Sequence, residues 1–261
     1  MSEGKKEILL GDCLELMKDI PNGSIDMILC DLPYGTTACK WDTIIPFEPL
    51  WEQYKRIIKD NGAIVLTASQ PFTSALVMSN IKMFKYCLIW NKRKSSSALH
   101  AKIQPLRIHE DIVVFGKNKT IYNPQMVQGK PRVDKESKIS NGEAFGNNTV
   151  TRKYENKDGL YYPKSILDIS NADQTNKVHP TQKPVALFEY LIKTYTNEGD
   201  LVLDNCAGSG TTAIACLNTN RQFIVMEKEQ KYYDIILKRV ADFNKNFEQQ
   251  TLFGNECSAC V

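Results

Sequence analysis

Several things are scarce or missing in this sequence of 261 residues. No apolar run approaches the roughly 20 residues that cross a bilayer, so a membrane span is not expected. The opening MSEGKKEILL puts acids and lysines ahead of a short apolar stretch, which is not the pattern of a secretory signal. Metal-ligand spacing is nearly absent. Cys257 and Cys260 stand alone in a polar tail, with no second pair and no histidine close by, so a structural zinc site is not expected. The other cysteines, at 13, 30, 39, 87, 206 and 216, are scattered, several in apolar or helical surroundings, as the reduced core thiols of a cytoplasmic protein are. Acidic residues are scarce in one region only: residues 82–157 hold 16 Lys and Arg against 6 Asp and Glu, while the rest of the chain holds 17 against 24. Such segregation, interleaved with Tyr, Trp and His, points to a polyanionic partner rather than a solvated face.

The remainder is ordinary for a globular chain, with 42% hydrophobic and 24% charged residues, and it is long enough to bury a sizeable core. Strand and helix patterns alternate. Lys6–Leu10 reads as a strand, residues 13–20 as a helix closed by Pro21-Asn22-Gly23, and residues 24–30 as a second strand. A helix is expected over 46–60 with Asn61-Gly62 as its stop, then a strand at 63–67, a helix near 71–80 and strands at 86–90 and 109–116. After a gap the pattern resumes with a helix at 185–195, a strand at 200–204, a helix at 211–220, a strand at 222–226 and a final helix from about 230 to 244. The expected class is α/β, with one sheet built from both ends of the chain. Residues 117–178 hold few aliphatics and many Lys, Asn, Gly and Tyr, and they read as an inserted lobe or mobile segment.

Two stretches carry chemistry. The strand at 24–30 ends in Asp31-Leu32-Pro33-Tyr34, at the carboxyl edge where open α/β sheets place ligands. Pro33 fixes its own φ and holds Leu32 extended, which aims one carboxylate and one aromatic face into the same crevice. That pair suits a flat heteroaromatic ring with an exocyclic amino group: the ring stacks on Tyr34 while Asp31 and a backbone carbonyl of the turn accept the amino hydrogens. A strand end with an exposed tyrosine is the plainer alternative. The second stretch is Asp204-Asn205-Cys206-Ala207-Gly208-Ser209-Gly210, a glycine turn into a helix, followed by a strand that closes on Glu227. Glycines there allow close backbone approach, and a carboxylate ending the next strand can bind both hydroxyls of a ribose. A nicotinamide enzyme would share this turn but has no use for the first tetrapeptide, whereas methyl transfer to an amine needs both. Asp12, at the end of the first strand, serves as a helix cap or as a ligand carboxylate, and the two roles are compatible.

Asp31-Leu32-Pro33-Tyr34, His179-Pro180-Thr181-Gln182-Lys183-Pro184, Asp204 to Gly210 and Glu227, in this order, resemble the S-adenosylmethionine-dependent DNA amino-methyltransferases of the β group. The match runs over about residues 7–240. The resemblance implies a Rossmann-like mixed sheet with helices on both faces, circularly permuted so that the catalytic motif precedes the cofactor motif, with an inserted target-recognition lobe. The expected divisions are a catalytic half at 1–116, the lobe at 117–178, a cofactor half at 179–244 and a flexible tail at 245–261. Asp31, Leu32, Pro33 and Tyr34 would be catalytic. Asp204, Gly208 and Gly210 would hold the methionine part of S-adenosylmethionine, with Thr211 nearby and Asn205 also among the cofactor-binding residues; Glu227 would take the ribose and Asp12 the adenine amino end. His179, Thr181, Gln182 and Lys183 resemble the family's collar beside the cofactor. His109-Glu110 resembles another element near the flipped base, with a simple strand start as the alternative.

The family usually has proline where this chain has Leu32, which predicts a looser turn. Asp rather than Ser at position 31 favours adenine N6 over cytosine N4 as the acceptor. Double-stranded DNA is the expected partner, with Lys92, Arg93, Lys94, Lys102 and Arg107 as candidate contacts. A bacterial or phage-encoded cytoplasmic enzyme is expected, and the resemblance also implies a homodimer. Gln249 to Phe253 resembles the short peptide that docks on the replication sliding clamp, against the plainer reading of a helix end. Cytosine N4 methylation is the nearest alternative. Protein glutamine methylation has the opposite motif order, and a non-catalytic binding relic would have a damaged glycine loop, which this chain does not.

Overall fold

A computed structural model describes residues 4–36, 39, 42–95, 101–140, 149–171 and 182–256. The chain runs β1 (Lys6–Leu10), α1 (Cys13–Leu16), β2 (Ile25–Cys30), α2 (Phe47–Ile57), β3 (Ile58–Ala68), α3 (Phe72–Ser79), β4 (Phe84–Asn91) and β5 (His109–Phe115). Six short strands follow: β6 (Val127–Gln128), β7 (Arg132–Val133), β8 (Ser137–Ser140), β9 (Thr149–Arg152), β10 (Glu155–Asn156) and β11 (Leu160–Tyr161). Then come β12 (Ile166–Asp168), α4 (Val185–Tyr195), β13 (Leu201–Asp204), α5 (Thr211–Asn218), β14 (Gln222–Glu227) and α6 (Gln230–Glu256). Two compact units result, one from residues 1–123 and 165–261 and one from Pro124–Lys164.

The larger unit is built on an eight-stranded sheet in the order β1-β14-β13-β2-β3-β5-β4-β12. Neighbours are parallel except β5, which runs against both β3 and β4. All six residues of β2 are buried, as expected of a central strand covered on both faces. The helices α1, α2 and α3 contribute to one core cluster and α4 and α5 to another. In α2 the buried stripe Leu50, Trp51, Tyr54 and Ile57 follows the helical period.

Register decides what meets at the ligand edge. Leu203 pairs with Ile28, so the ends of β13 and β2, at Asp204 and Asp31, lie on adjacent strands although they are far apart in sequence. Because β5 runs the other way, its first residues lie at the edge where β3 and β4 end, and Glu110 pairs with Trp90.

Three boundaries differ from expectation. Helix α2 ends at Ile57, and Asn61-Gly62 lies inside β3. Gly62 is there for close packing, since a Cβ would come within 2.7 Å of the Asp26 carbonyl oxygen. The final helix continues through the expected tail to Glu256, taking in residues 249–253. No proline or glycine interrupts it before Gly254, and Phe243 and Phe247 stack one turn apart with centroids 6.5 Å from each other. The insert is narrower than 117–178: Ile121 N–H donates to the Asn61 carbonyl at 3.0 Å, and β12 pairs with β4.

The unit Pro124–Lys164 consists of three antiparallel two-stranded ribbons, β7 with β10, β6 with β11 and β8 with β9. The Tyr161 hydroxyl ties the second ribbon to the Lys130 carbonyl at 2.7 Å, and the Gln128 amide donates to the Asp158 carbonyl at 3.0 Å.

Candidate active site

A single cavity of about 710 Å³ lies at the carboxyl edge of the larger unit and is lined by both motifs. Asp31 and Tyr34 follow β2; Asp204, Cys206 and Gly208 follow β13; Glu227 ends β14. The two signals that the sequence separates by the whole insert are thus walls of one chamber.

The Asp31 carboxylate is held by side chains from other elements. Its Oδ1 accepts from the Tyr34 hydroxyl at 2.7 Å and from the Thr67 hydroxyl, and those two hydroxyls are 3.0 Å apart. Its Oδ2 accepts from the Lys183 ammonium at 2.7 Å. Lys183 also pairs with Glu110 Oε2 at 3.3 Å, and Lys92 donates to Glu110 Oε1 at 3.0 Å. Four alternating charges, Lys92, Glu110, Lys183 and Asp31, therefore cross the buried floor of the cavity and balance one another, as ionised groups away from water must. Burial pushes the Lys183 ammonium toward neutrality, but Asp31 and Glu110 outweigh it and raise the pKa. Burial, then the charges of Asp31 and Glu110, push the Tyr34 phenol well up, so it remains a donor.

One face of Tyr34 is stacked on Phe72 with centroids 5.2 Å apart, the Lys183 ammonium stands over the ring 5.6 Å from its centroid, and Tyr34 lines the cavity. Leu32, where proline was the usual residue, is only 3% exposed and sits in the core cluster. Burial of its side chain anchors the turn that its sequence predicted to be loose.

The second half is wired through the main chain. Glu227 Oε2 accepts the Gly208 N–H at 2.8 Å and Oε1 accepts the Glu229 N–H at 2.9 Å. Burial pushes its carboxyl up, partly offset by these amides. Asp204 is buried; its Oδ1 accepts the Cys206 N–H at 3.0 Å and its Oδ2 the Thr212 hydroxyl. Burial raises its pKa to about 6, against the pull of those donors. Gly208 has φ +53 and a Cβ built on it would meet nothing within 4 Å, so the turn leaves open space where a ligand can approach the backbone. Gly210 has φ +81 and would bring a Cβ to 3.0 Å from Ile236. Asn205 is consumed structurally, accepting from Tyr54 at 2.5 Å. Asp12 caps α1 through Leu14 N–H at 3.0 Å and pairs with Lys228 at 3.2 Å, while still lining the cavity.

The cavity thus gathers Asp12, Asp31, Leu32, Pro33 and Tyr34 with Gln182, Lys183, Asp204, Asn205, Gly208, Thr211 and Glu227. Gly210 shapes the wall without lining it, and His179 and Thr181 lie outside the described residues. Gln182 accepts from the Ser209 hydroxyl at 3.2 Å. Lys183, expected in the cofactor collar, lines the same cavity and pairs with the Asp31 carboxylate. Lys92, expected to contact DNA, is corrected by the structure: it is 9% exposed and bound to Glu110, so its charge is spent inside and not on a phosphate. Arg93, Lys94 and Lys102 are exposed, and Arg107 donates to Ser69 Oγ at 2.6 Å and the Gln70 carbonyl at 3.2 Å at the cavity wall. Thr67 was not anticipated. Cys30 pairs with Leu66, so the residue after each strand pair is the contact Asp31–Thr67, a signal that appears only once β2 and β3 are known to be neighbours.

Comparison with known proteins agrees with this geometry. The family model N6_N4_Mtase, described as DNA methylase, matches residues 25–238. The DNA adenine methyltransferase YhdJ of Escherichia coli strain K12 is 28% identical over 263 residues, covering 90% of this chain and 82% of that protein. The crystal structure of the M1.HpyAVI–SAM complex superposes with a TM-score of 0.60 at 25% identity, covering 90% of this chain and 98% of the other. The cytosine-N4-specific PvuII DNA methyltransferase shares the fold, with a TM-score of 0.63 at 17% identity over 89% of this chain and 85% of the other. With more than half of its length inside the family match, the chain belongs to the N6_N4_Mtase family of DNA methylases.

Proposed function

We propose that the chain transfers a methyl group from S-adenosylmethionine to the N6 amino group of an adenine flipped out of duplex DNA. One observation carries this reading: Asp31, with an acceptor position still open, shares a cavity with a glycine turn and a strand-ending carboxylate suited to a nucleoside. S-adenosylmethionine supplies an electrophilic methyl group when bound. The residues present fit it. Open space at Gly208 admits a ligand against the backbone, Glu227 takes ribose hydroxyls on acceptor positions its amide bonds leave over, and Asp12 faces the far end.

The chain's own groups then prepare the amine. Asp31 and a carbonyl of the Leu32-Pro33 turn accept the amino hydrogens, which returns electron density from the ring to nitrogen. Tyr34, backed by Phe72 and lining the cavity, stacks on the base and offsets part of the few kcal/mol spent in unstacking it. No covalent enzyme intermediate is needed. Burial pushes the Cys30 thiol, next to Asp31, up to about 12, which leaves it unreactive as a nucleophile.

Aspartate at position 31 and the adenine-methylating relative favour adenine. Cytosine N4 is the alternative, because the same acceptor serves its amine and a cytosine-N4-specific enzyme shares the fold. Arg93, Lys94, Lys102 and Arg107 are the proposed DNA contacts, and the unit Pro124–Lys164 the target reader. The test is long-read sequencing of DNA from a methylation-free bacterial host expressing the chain, beside Asp31→Ala. N6-methyladenine at one motif, present only with the intact chain, is the expected result. N4-methylcytosine would replace the base assignment, and no mark at all would remove the reading.

A further inference from the structure

Asp31 and its donors leave an unequal pair of oxygens. Oδ1 already accepts from two hydroxyls, those of Tyr34 and Thr67, which fills both of its lone pairs. Oδ2 accepts only from Lys183, at 2.7 Å. An incoming amine must therefore use the second lone pair of Oδ2, and it then stands beside the Lys183 ammonium.

Lys183 has donors to spare. It is 7% exposed, lines the cavity and spends one N–H on Asp31. Its ion pair with Glu110 Oε2 at 3.3 Å is not an aligned hydrogen bond, and that buried oxygen has no hydrogen-bond partner. At least one N–H is thus free to turn toward a ligand. Glu110, neutralised on its other oxygen by Lys92, keeps the ammonium charged and in place.

We infer that Lys183 donates a hydrogen bond to the ring nitrogen next to the amino-bearing carbon of the target base, N1 of adenine, while Asp31 accepts from the amine. Acceptor and donor side by side match the amine and ring-nitrogen edge of the base. Cytosine presents the same edge with N4 and N3, so this pair selects an aminopyrimidine edge and leaves the choice between the two bases to the rest of the cavity. The inference rests on the methyl-transfer reading and names the base atom that its site recognises.

The test is binding, so that an inactive variant still reports. Duplexes containing the methylated motif carry adenine, 1-deazaadenine, 7-deazaadenine or no base at the target position, opposite an abasic site so that pairing does not enter. Affinity is measured by anisotropy with S-adenosylhomocysteine present. The wild type should bind 1-deazaadenine about 10- to 100-fold more weakly than adenine, and 7-deazaadenine within about threefold. Lys183→Met should abolish the 1-deaza penalty. The double variant Lys183→Met/Glu110→Gln, which keeps the net charge of the four-residue network at zero, should abolish it as well if the single variant fails to fold. Equal affinity of the wild type for adenine and 1-deazaadenine, a penalty for 7-deazaadenine instead, or a 1-deaza penalty that persists without Lys183 would each overturn the inference alone. No preference for adenine over the missing base would overturn the methyl-transfer reading with it. Should the genomic mark be N4-methylcytosine, 3-deazacytosine takes the place of 1-deazaadenine with the same expectations.

Discussion

The two ends of the cavity solve one problem in different ways. Each places a carboxylate at a strand end, on the wall of the cavity. At the proposed cofactor end, Glu227 and Asp204 are held largely by main-chain amides, those of Glu229 and Cys206 two residues away and that of Gly208 from the loop after the neighbouring strand β13. At the proposed acceptor end, Asp31 is held entirely by side chains, and two of the three, Thr67 and Lys183, come from distant parts of the chain. Amide wiring is rigid and tolerant of side-chain change. Side-chain wiring tunes an acceptor finely but is exposed to every substitution in the network.

The sharpest break in this comparison comes from Asp31→Asn. Methylation should fall by about 100- to 1,000-fold, the range for losing one charged group aimed at the reacting atoms, with cofactor affinity within about threefold. A parallel loss of cofactor affinity, read by calorimetry, would show that the two ends are not separately wired. Glu227→Ala is the mirror experiment. It should weaken S-adenosylmethionine by about 10- to 100-fold and leave the rate at saturating cofactor within a few-fold, as expected when hydrogen bonds to a charged acceptor are lost.

Asp204 sharpens the comparison through pH. Its carboxyl is held at about 6, above the ordinary 3.8, chiefly by burial. The folded chain therefore binds this proton more tightly than the unfolded chain. The stability from this group is fully present below about 4 and is lost as pH rises through about 6. Denaturant titrations of the cofactor-free protein should show wild type losing stability relative to Asp204→Asn across that window, by something on the order of 2 kcal/mol. A constant difference would mean that the amide and hydroxyl donors fully offset burial. Thr67→Val should have the smallest effect, lowering the methylation rate about three- to tenfold without changing cofactor affinity, because one of three donors to Asp31 is removed and volume is kept.

How readable each end was follows from the same contrast. The loop Asp204–Gly210 and Glu227 were legible because glycines at positive φ and a strand-ending acid are local features. Asp31-Leu32-Pro33-Tyr34 was legible as a motif, but its partners were not. Thr67 looked like one more β-former, Lys92 like one more exposed cation and Lys183 like part of a collar, since nothing near them in sequence announces a buried ion network. Asn61-Gly62 misled for a related reason: a glycine needed for close approach to Asp26 looks, in one dimension, like a helix stop.

By itself the sequence determined the α/β class, the pair of motifs and the segregation of basic charge, because periodicity, turn chemistry and composition act over short stretches. The tertiary structure decided which strands are neighbours, that β5 runs backward and brings Glu110 to the ligand edge, and that Lys183 balances Asp31. Those depend on register and on the need to neutralise charge in a low-dielectric interior, and both are properties of residues that meet only after the chain has folded.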